Sequence, residues 1–149
     1  RRPGWNFALH RAVHWAGELR QPLVVLEPLR CGYAWASDRI HTFMLQGMQD
    51  RARLFAERPV TYYPYVEMRP GDGKGLLAAL ASRASVVIGD DYPGFFVPRM
   101  LDAATRRLDT WFETVDSNGL LPLRAATKAY ARAVDFRRFL QRELRPWLT

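Results

Sequence analysis

The amino-acid sequence predicts an α/β fold: a doubly wound parallel sheet with helices on both faces. Three observations carry this. Stretches near residues 23, 60, 86 and 111 have strand composition, and each is separated from the next by a segment with helical spacing. The runs Leu23-Val24-Val25-Leu26 and Val86-Val87-Ile88 are continuous rather than alternating, as expected of strands buried on both faces. Parallel strands also need long crossovers, and the intervening helical segments supply them.

Asn6 to Leu19 reads as the first amphipathic helix. Ala8, Ala12, Trp15 and Leu19 take one face, with Leu9, Val13 and Ala16 beside them, while His10, Arg11, His14 and Glu18 take the other. Pro22 closes it, and the strand that begins at Leu23 is expected to stop at Glu27-Pro28. Leu29 to Ala36 is a loop rich in large side chains. Ser37 or Asp38 can cap the next helix, whose stripe is Ile40, Phe43, Met44, Gly47, Met48, Ala52 and Phe55 and which ends near Arg58-Pro59. Val60 to Val66 has strand composition, but Pro64 lacks the N–H a ladder needs, so this strand is expected to lie at an edge or to end there. Pro70 to Gly75 is turn-rich, and Leu76, Leu77, Leu80, Ala81 and Ala84 mark a short helix.

The stretch Ser85 to Arg99 is the centre of the pattern. Its apolar run breaks at Gly89, leaves Asp90, Asp91 and Tyr92 at its end, and resumes as a helix whose first turn accepts Pro98. That helix is expected to bury Val97, Leu101, Ala104 and Leu108. Thr110 to Val115 is the last strand, closed by the turn-forming run Asp116-Ser117-Asn118-Gly119. Ligands of open α/β sheets sit beyond the carboxyl ends of the strands, which places Asp90, Asp91, Tyr92 and Phe95 where a site is expected. Because the chain opens on a helix, the sheet, Rossmann-like with flavodoxin-type order, is expected to lack its first, central strand in this fragment.

Composition narrows the class. With 149 residues, 48% hydrophobic and 25% charged, the chain is an ordinary globular sequence, long enough for one buried domain. Its apolar runs fall well short of the ~20 residues of a membrane span, and no signal-peptide pattern opens it, so a cytoplasmic protein without membrane contact is expected. The single cysteine, Cys31, makes no internal disulfide. From Arg124 on, Arg124, Lys128, Arg132, Arg137, Arg138, Arg142 and Arg145 stand against Asp135 and Glu143, so the tail carries +5 of the net +7. The body is only mildly basic, and composition gives it no broad nucleic-acid face.

The tail also carries an apolar stripe of Phe136, Phe139, Leu140, Leu144, Trp147 and Leu148, opposite Arg137, Arg138, Arg142 and Arg145. Burying each large side chain is worth roughly 1.5–3 kcal/mol, so the stripe is expected to be covered by a further domain or another chain. Residues 1–123 are read as the α/β domain and 124–149 as a helical linker.

Motifs with chemistry are few. Gly71-Asp72-Gly73-Lys74-Gly75 lacks both the spacing of a phosphate-binding loop and the Ser or Thr that follows its lysine, and no G-x-G-x-x-G opens a helix. Asp90-Asp91 has the form of a magnesium or phosphoacceptor pair, for which Glu27, Glu67 and Asp116 at the other strand ends would be the supporting acids. Helix capping is the plainer role for the pair. His10 and His14 are one helical turn apart, but Arg11 stands where hydrolytic zinc motifs place Glu, so they read as surface residues. Cys31 has no base beside it in sequence and reads as a small apolar side chain.

Four segments together resemble, in order, the N-terminal domain of DNA photolyases, nearest the class II cyclobutane pyrimidine dimer branch or a bacterial relative of it. They are Asn6 to Val13, Arg30 to Arg39 with its helix, Val86 to Pro93, and Val115 to Pro122. The likeness is one of order and spacing. It departs from the class II pattern at Asn118, Gly119, Leu123 and Ala129. The resemblance implies a five-stranded α/β domain that in some members holds an antenna pigment, a deazaflavin or a folate. Trp5 and Asn6, with Asp90, Asp91, Tyr92 and Phe95, would line that pocket. It further implies a helical domain, absent here, that binds FAD and UV-damaged DNA and splits the dimer with light, with Phe136, Phe139, Leu140 and Leu144 of the tail packing against it. A cryptochrome-like light sensor without enzymatic activity is the alternative within the family. A phosphoacceptor or nucleotide-binding α/β domain centred on Asp90-Asp91 is the alternative outside it.

Overall fold

A computed structural model describes residues 2–148. Five α-helices and four strands follow one another as α1 (Phe7–Leu19), β1 (Leu23–Leu29), α2 (Asp38–Ala56), β2 (Val60–Val66), α3 (Leu76–Ala81), β3 (Val86–Asp90), α4 (Val97–Thr105), β4 (Trp111–Val115) and α5 (Ala133–Glu143). Short 3-10 turns lie at Leu123–Ala125 and Arg145–Trp147.

The strands pair in parallel, as the alternation predicts. β1 lies beside β2 in register from Leu23 opposite Val60 to Leu29 opposite Val66. β3 lies beside β4 from Val86 opposite Trp111 to Asp90 opposite Val115. A single doubly wound sheet does not form among the described residues: these are two separate two-stranded sheets. Helix α1 packs on β3 and β4 and also touches β1, so it spans both pairs, while α2 packs on β2.

Several boundaries move for physical reasons. Strand β1 does not stop at Glu27-Pro28, because its ladder with β2 runs to Leu29 and continues as Glu67 N–H donates to the Leu29 carbonyl at 2.9 Å. Pro64 does not end β2. It sits opposite Glu27 in a strand bonded on one side only, the edge position a proline tolerates. Gly89 does not break β3 either, which runs on to Asp90. A Cβ there would meet Leu101 Cδ2 and Phe112 Cζ at 3.1 Å, so the glycine admits the close packing of α4 and β4. Helix α4 ends at Thr105, leaving Leu108 outside the stripe expected to contain it. Of the two expected caps, Ser37 is the one used: its Oγ accepts the Ile40 N–H at 3.3 Å.

The core is thin. Ala8, Leu29, Met48, Phe55, Ala81, Leu121 and Phe139 are its buried apolar residues, while Trp35, Phe43, Trp111 and others remain largely exposed. Ion pairs supplement the packing. Glu27, 5% exposed on β1, accepts two bonds from the Arg51 guanidinium of α2, at 2.6 and 2.7 Å, and one from the Tyr62 hydroxyl of β2 at 2.7 Å. On β4, Glu113 accepts from Arg11 at 2.6 Å and from the Trp15 indole at 2.9 Å, and Arg11 lies over the Trp15 ring, which anchors α1.

The tail stripe is partly covered by its own chain, against the expectation that it waits whole for a partner. Phe139 is 8% exposed and packs with Tyr130 and Phe136, at ring-centroid distances of 5.2 and 6.2 Å. The three rings lie within the separations at which aromatic pairs attract one another. Phe136, Leu140 and Leu144 stay accessible along a groove.

Candidate functional site

The carboxyl ends of β3 and β4 are tied together by backbone and side-chain bonds that begin in the ladder itself. Asp91 N–H donates to the Val115 carbonyl at 2.9 Å, carrying the pairing one residue past β3. Asp116 then organises the turn that follows β4. One of its oxygens accepts the Asn118 backbone and side-chain N–H groups at 2.9 and 2.8 Å, and the other accepts the Leu123 N–H at 2.6 Å. Burial opposes the charge of Asp116, but these bonds and the nearby Arg124 outweigh it and hold the carboxyl below its usual range. Asn118 passes the restraint to the neighbouring strand end by donating to the Asp91 carbonyl at 2.6 Å.

Ser117 brings α1 to the same place. Buried in the turn, its Oγ accepts the Ala8 N–H at 3.1 Å and its carbonyl accepts the Arg2 guanidinium at 2.5 Å. Asn6 caps the helix beside it, its Oδ1 accepting the Leu9 N–H at 3.0 Å, while its Nδ2 donates to the Arg2 carbonyl at 3.2 Å. Both are N-terminal donors that a helix cannot satisfy internally.

The six sequence-predicted site residues are therefore divided by the fold. Asn6 is engaged as a helix cap, and the Asp91 carboxylate pairs with Arg124 at 3.0 Å. The exposed Asp90 carboxylate has no hydrogen bond or ion pair among the described residues. Tyr92 and Phe95 stack with their rings nearly parallel at 9° and 6.5 Å apart. A Cβ at Gly94 would come within 2.9 Å of the Tyr92 ring, so a larger residue there would shift that ring. Phe95 is 78% exposed at φ +57° and Trp5 79% exposed at φ +54°, left-handed conformations that bulky side chains rarely adopt. Aromatic faces suited to a planar ligand are thus available, but they line neither the cavity beside Cys31 and Glu67 nor the one between Leu120 and Leu140. A pigment pocket here needs a second wall.

The carboxylates expected to support Asp90-Asp91 are occupied elsewhere. Glu27 holds Arg51 and Tyr62, and Asp116 holds its own turn. Glu67, 5% exposed just after β2, accepts the N–H groups of Gly71 at 2.9 Å and Cys31 at 3.1 Å, joining the loops that follow β1 and β2. Those backbone donors lower its pKa against the opposing effect of burial. The Cys31 thiol also lies 3.5 Å from Glu67, and burial together with that carboxylate raises its pKa, so the thiol stays protonated. The Gly71 N–H that a phosphate loop would present is taken by Glu67, and the Tyr65 ring covers Gly73. Among the described residues no three His, Cys, Asp or Glu side chains gather as a metal-ligand set, His10 and His14 included.

Sequence reasoning missed Ser117, Asn118 and Arg124 as organisers of this end of the sheet. The turn composition around residue 117 was visible, but the bond from Ser117 to Ala8 joins positions 109 residues apart.

The class of protein thus defined is an α/β protein of parallel βαβ units with an aromatic rim at its strand ends. No family model matches the sequence. Over 148 residues, 99% of the chain, it is 25% identical to a deoxyribodipyrimidine photo-lyase of Methanothermobacter thermautotrophicus, of which it spans 32% of the length. This distant similarity supports a relation to the photolyase family. Among the described residues no helix is long and apolar enough to cross a membrane.

Proposed function

We propose that this chain is the N-terminal part of a DNA photolyase, of the class II cyclobutane pyrimidine dimer type, serving light-driven repair in the cytoplasm. The observation that carries the reading is the similarity to a photo-lyase along 99% of the chain, and the parallel βαβ pairs agree with it. Residues 1–123 form the α/β domain and 124–149 the linker. FAD and the lesion-bearing DNA belong to the remainder of the polypeptide.

In this reading the two parallel pairs are halves of one doubly wound sheet. Helix α1 touches β1, β3 and β4, which is what a shared sheet completed by one further parallel strand would require. The antenna role rests on the rim. Trp5, Tyr92 and Phe95 offer flat apolar faces and Asp90 an unpaired acceptor to a deazaflavin or folate, which would supply light capture when bound. Asn6 and Asp91 hold the rim in place through the α1 cap and the Arg124 pair.

The full-length protein, purified and illuminated with damaged DNA, tests the reading directly. Flavin absorbance together with light-dependent loss of thymine dimers is expected. A preparation with no flavin and no such loss overturns it.

A further inference from the structure

A cavity of about 50 Å³ lies at the carboxyl ends of β1 and β2, where Leu29 and Val66 close the paired strands. Cys31, Glu67 and His41 of α2 line it, together with Arg30, whose side chain is mostly exposed. The volume is far below the ~300–1,000 Å³ of sites for drug-sized ligands, yet above the roughly 10–15 Å³ that one water molecule needs. Its occupant is therefore of the size of water.

The protein does not serve all the polar atoms here. His41 Nε2 is buried without a hydrogen-bond partner among the described residues, and so is the hydroxyl of Tyr33, whose ring lies 5.6 Å from the imidazole. A buried polar atom left in this way loses its bonds to solvent and gains none in return, so native structures pair nearly all of them with protein or with ordered water. The His41 ring is also held in place, because the backbone N–H of His41 donates to the Ser37 carbonyl at 2.9 Å in the first turn of α2. Water needs two to four polar partners. The His41 imidazole, the Cys31 thiol and the Glu67 carboxylate bring them to one cavity from three places: α2, the loop after β1 and the segment after β2.

We infer that this cavity is a site for ordered water, bound by His41 Nε2 and joining the start of α2 to the Cys31–Glu67 contact. His41 is then a positioning residue for the loop from Arg30 to Ala36. Glu67 already fastens the near end of that loop through the Cys31 N–H at 3.1 Å, and the water extends the hold to the helix that follows it. Asp116 and Asn118 do the corresponding work at the ends of β3 and β4 by direct bonds. The loop carries Trp35, 70% exposed, so the placing of that ring depends on the water.

High-resolution crystallography of the full-length protein tests the site without any substitution. Density for water within about 3.2 Å of His41 Nε2 and of the Cys31 sulfur or the Glu67 carboxylate supports it. A dry cavity, a metal ion in it, or an imidazole bonded to a protein group instead overturns it. Hydrogen exchange of variants supplies the second measurement. His41→Phe keeps a ring and removes Nε2, so exchange across residues 30–36 is expected to quicken roughly fivefold, the loss of about one ordinary hydrogen bond. His41→Gln, whose amide can bond the same water, is expected to restore protection. Exchange in His41→Phe that is unchanged, or slower than in the unmutated protein, would show that the imidazole holds nothing there and would overturn the inference.

Discussion

The guanidinium of Arg51 reaches across Gly47, on the same helix, to grip Glu27 of β1 with two bonds. A Cβ at residue 47 would come within 3.1 and 3.2 Å of the two terminal Arg51 nitrogens, so the glycine in the interior of α2 leaves room for the ion pair. The pair is mostly buried and shared with Tyr62, so removing one partner strands the other in a medium of low polarity. Arg51→Leu is expected to destabilise the fold by about 3–5 kcal/mol, the range for breaking a buried pair. The urea midpoint measures it, and a shift under about 1 kcal/mol would show the pair to be dispensable.

Acid should loosen the contacts held by Glu113, Glu67 and Asp116. Hydrogen bonding to Arg11 lowers the Glu113 pKa most, with burial opposing, and the other two carboxyls are also held below their usual range. A carboxylate with a lowered folded pKa contributes its stability above the ordinary carboxylate range and loses it as pH falls through the folded value. Unfolding midpoints are therefore expected to be flat from neutral pH down to that range and to drop below it. Glu113→Gln should flatten part of the drop, and an unchanged profile would sink the assignment.

Asp116→Ala should free the turn after β4. It removes three charge-assisted acceptor bonds, each worth roughly 1.5–3 kcal/mol before relaxation. Hydrogen exchange is expected to quicken at Asn118 and Leu123 first, and at Ala8 if the displaced turn takes Ser117 with it. Protection at Asn118 and Leu123 equal to that of the unmutated protein would mean other groups hold the turn.

The pair Asp91–Arg124 is exposed on the arginine side and should contribute under about 1 kcal/mol, so Asp91→Asn leaves the midpoint nearly unchanged. No magnesium-dependent labelling of Asp90 or Asp91 by acetyl phosphate is expected, because among the described residues no three acids gather as a metal-ligand set. Labelling abolished in an Asp90→Asn, Asp91→Asn double variant would restore the phosphoacceptor reading.

Phe95→Gly tests whether the rim is built for a ligand. A bulky residue at φ +57° stores on the order of 1–3 kcal/mol, and the exposed ring recovers little of that by packing. The variant is expected to be as stable as the unmutated protein, or more so, while the full-length protein loses any pigment held there. A loss of stability would mean that Phe95 serves the fold.

What the sequence determined by itself is the local alternation. Periods of apolar residues define strands and helices, and continuous apolar strands separated by helices leave parallel pairing as the workable arrangement, as β1–β2 and β3–β4 show. The cap Ser37 was legible because it acts within three residues, whereas Asn6, read as a pocket residue, proved to cap α1. The tertiary structure alone decided which acids are free to do chemistry. Glu27, Glu67, Glu113 and Asp116 look alike at strand ends and in strands, yet the partners of Glu27, Glu67 and Glu113 come from elements 4 to 102 residues away, and those contacts turn these acids into clamps. Composition can state how many carboxylates a chain carries, but a carboxylate's role depends on which donors lie within about 3 Å of it, and folding sets that distance.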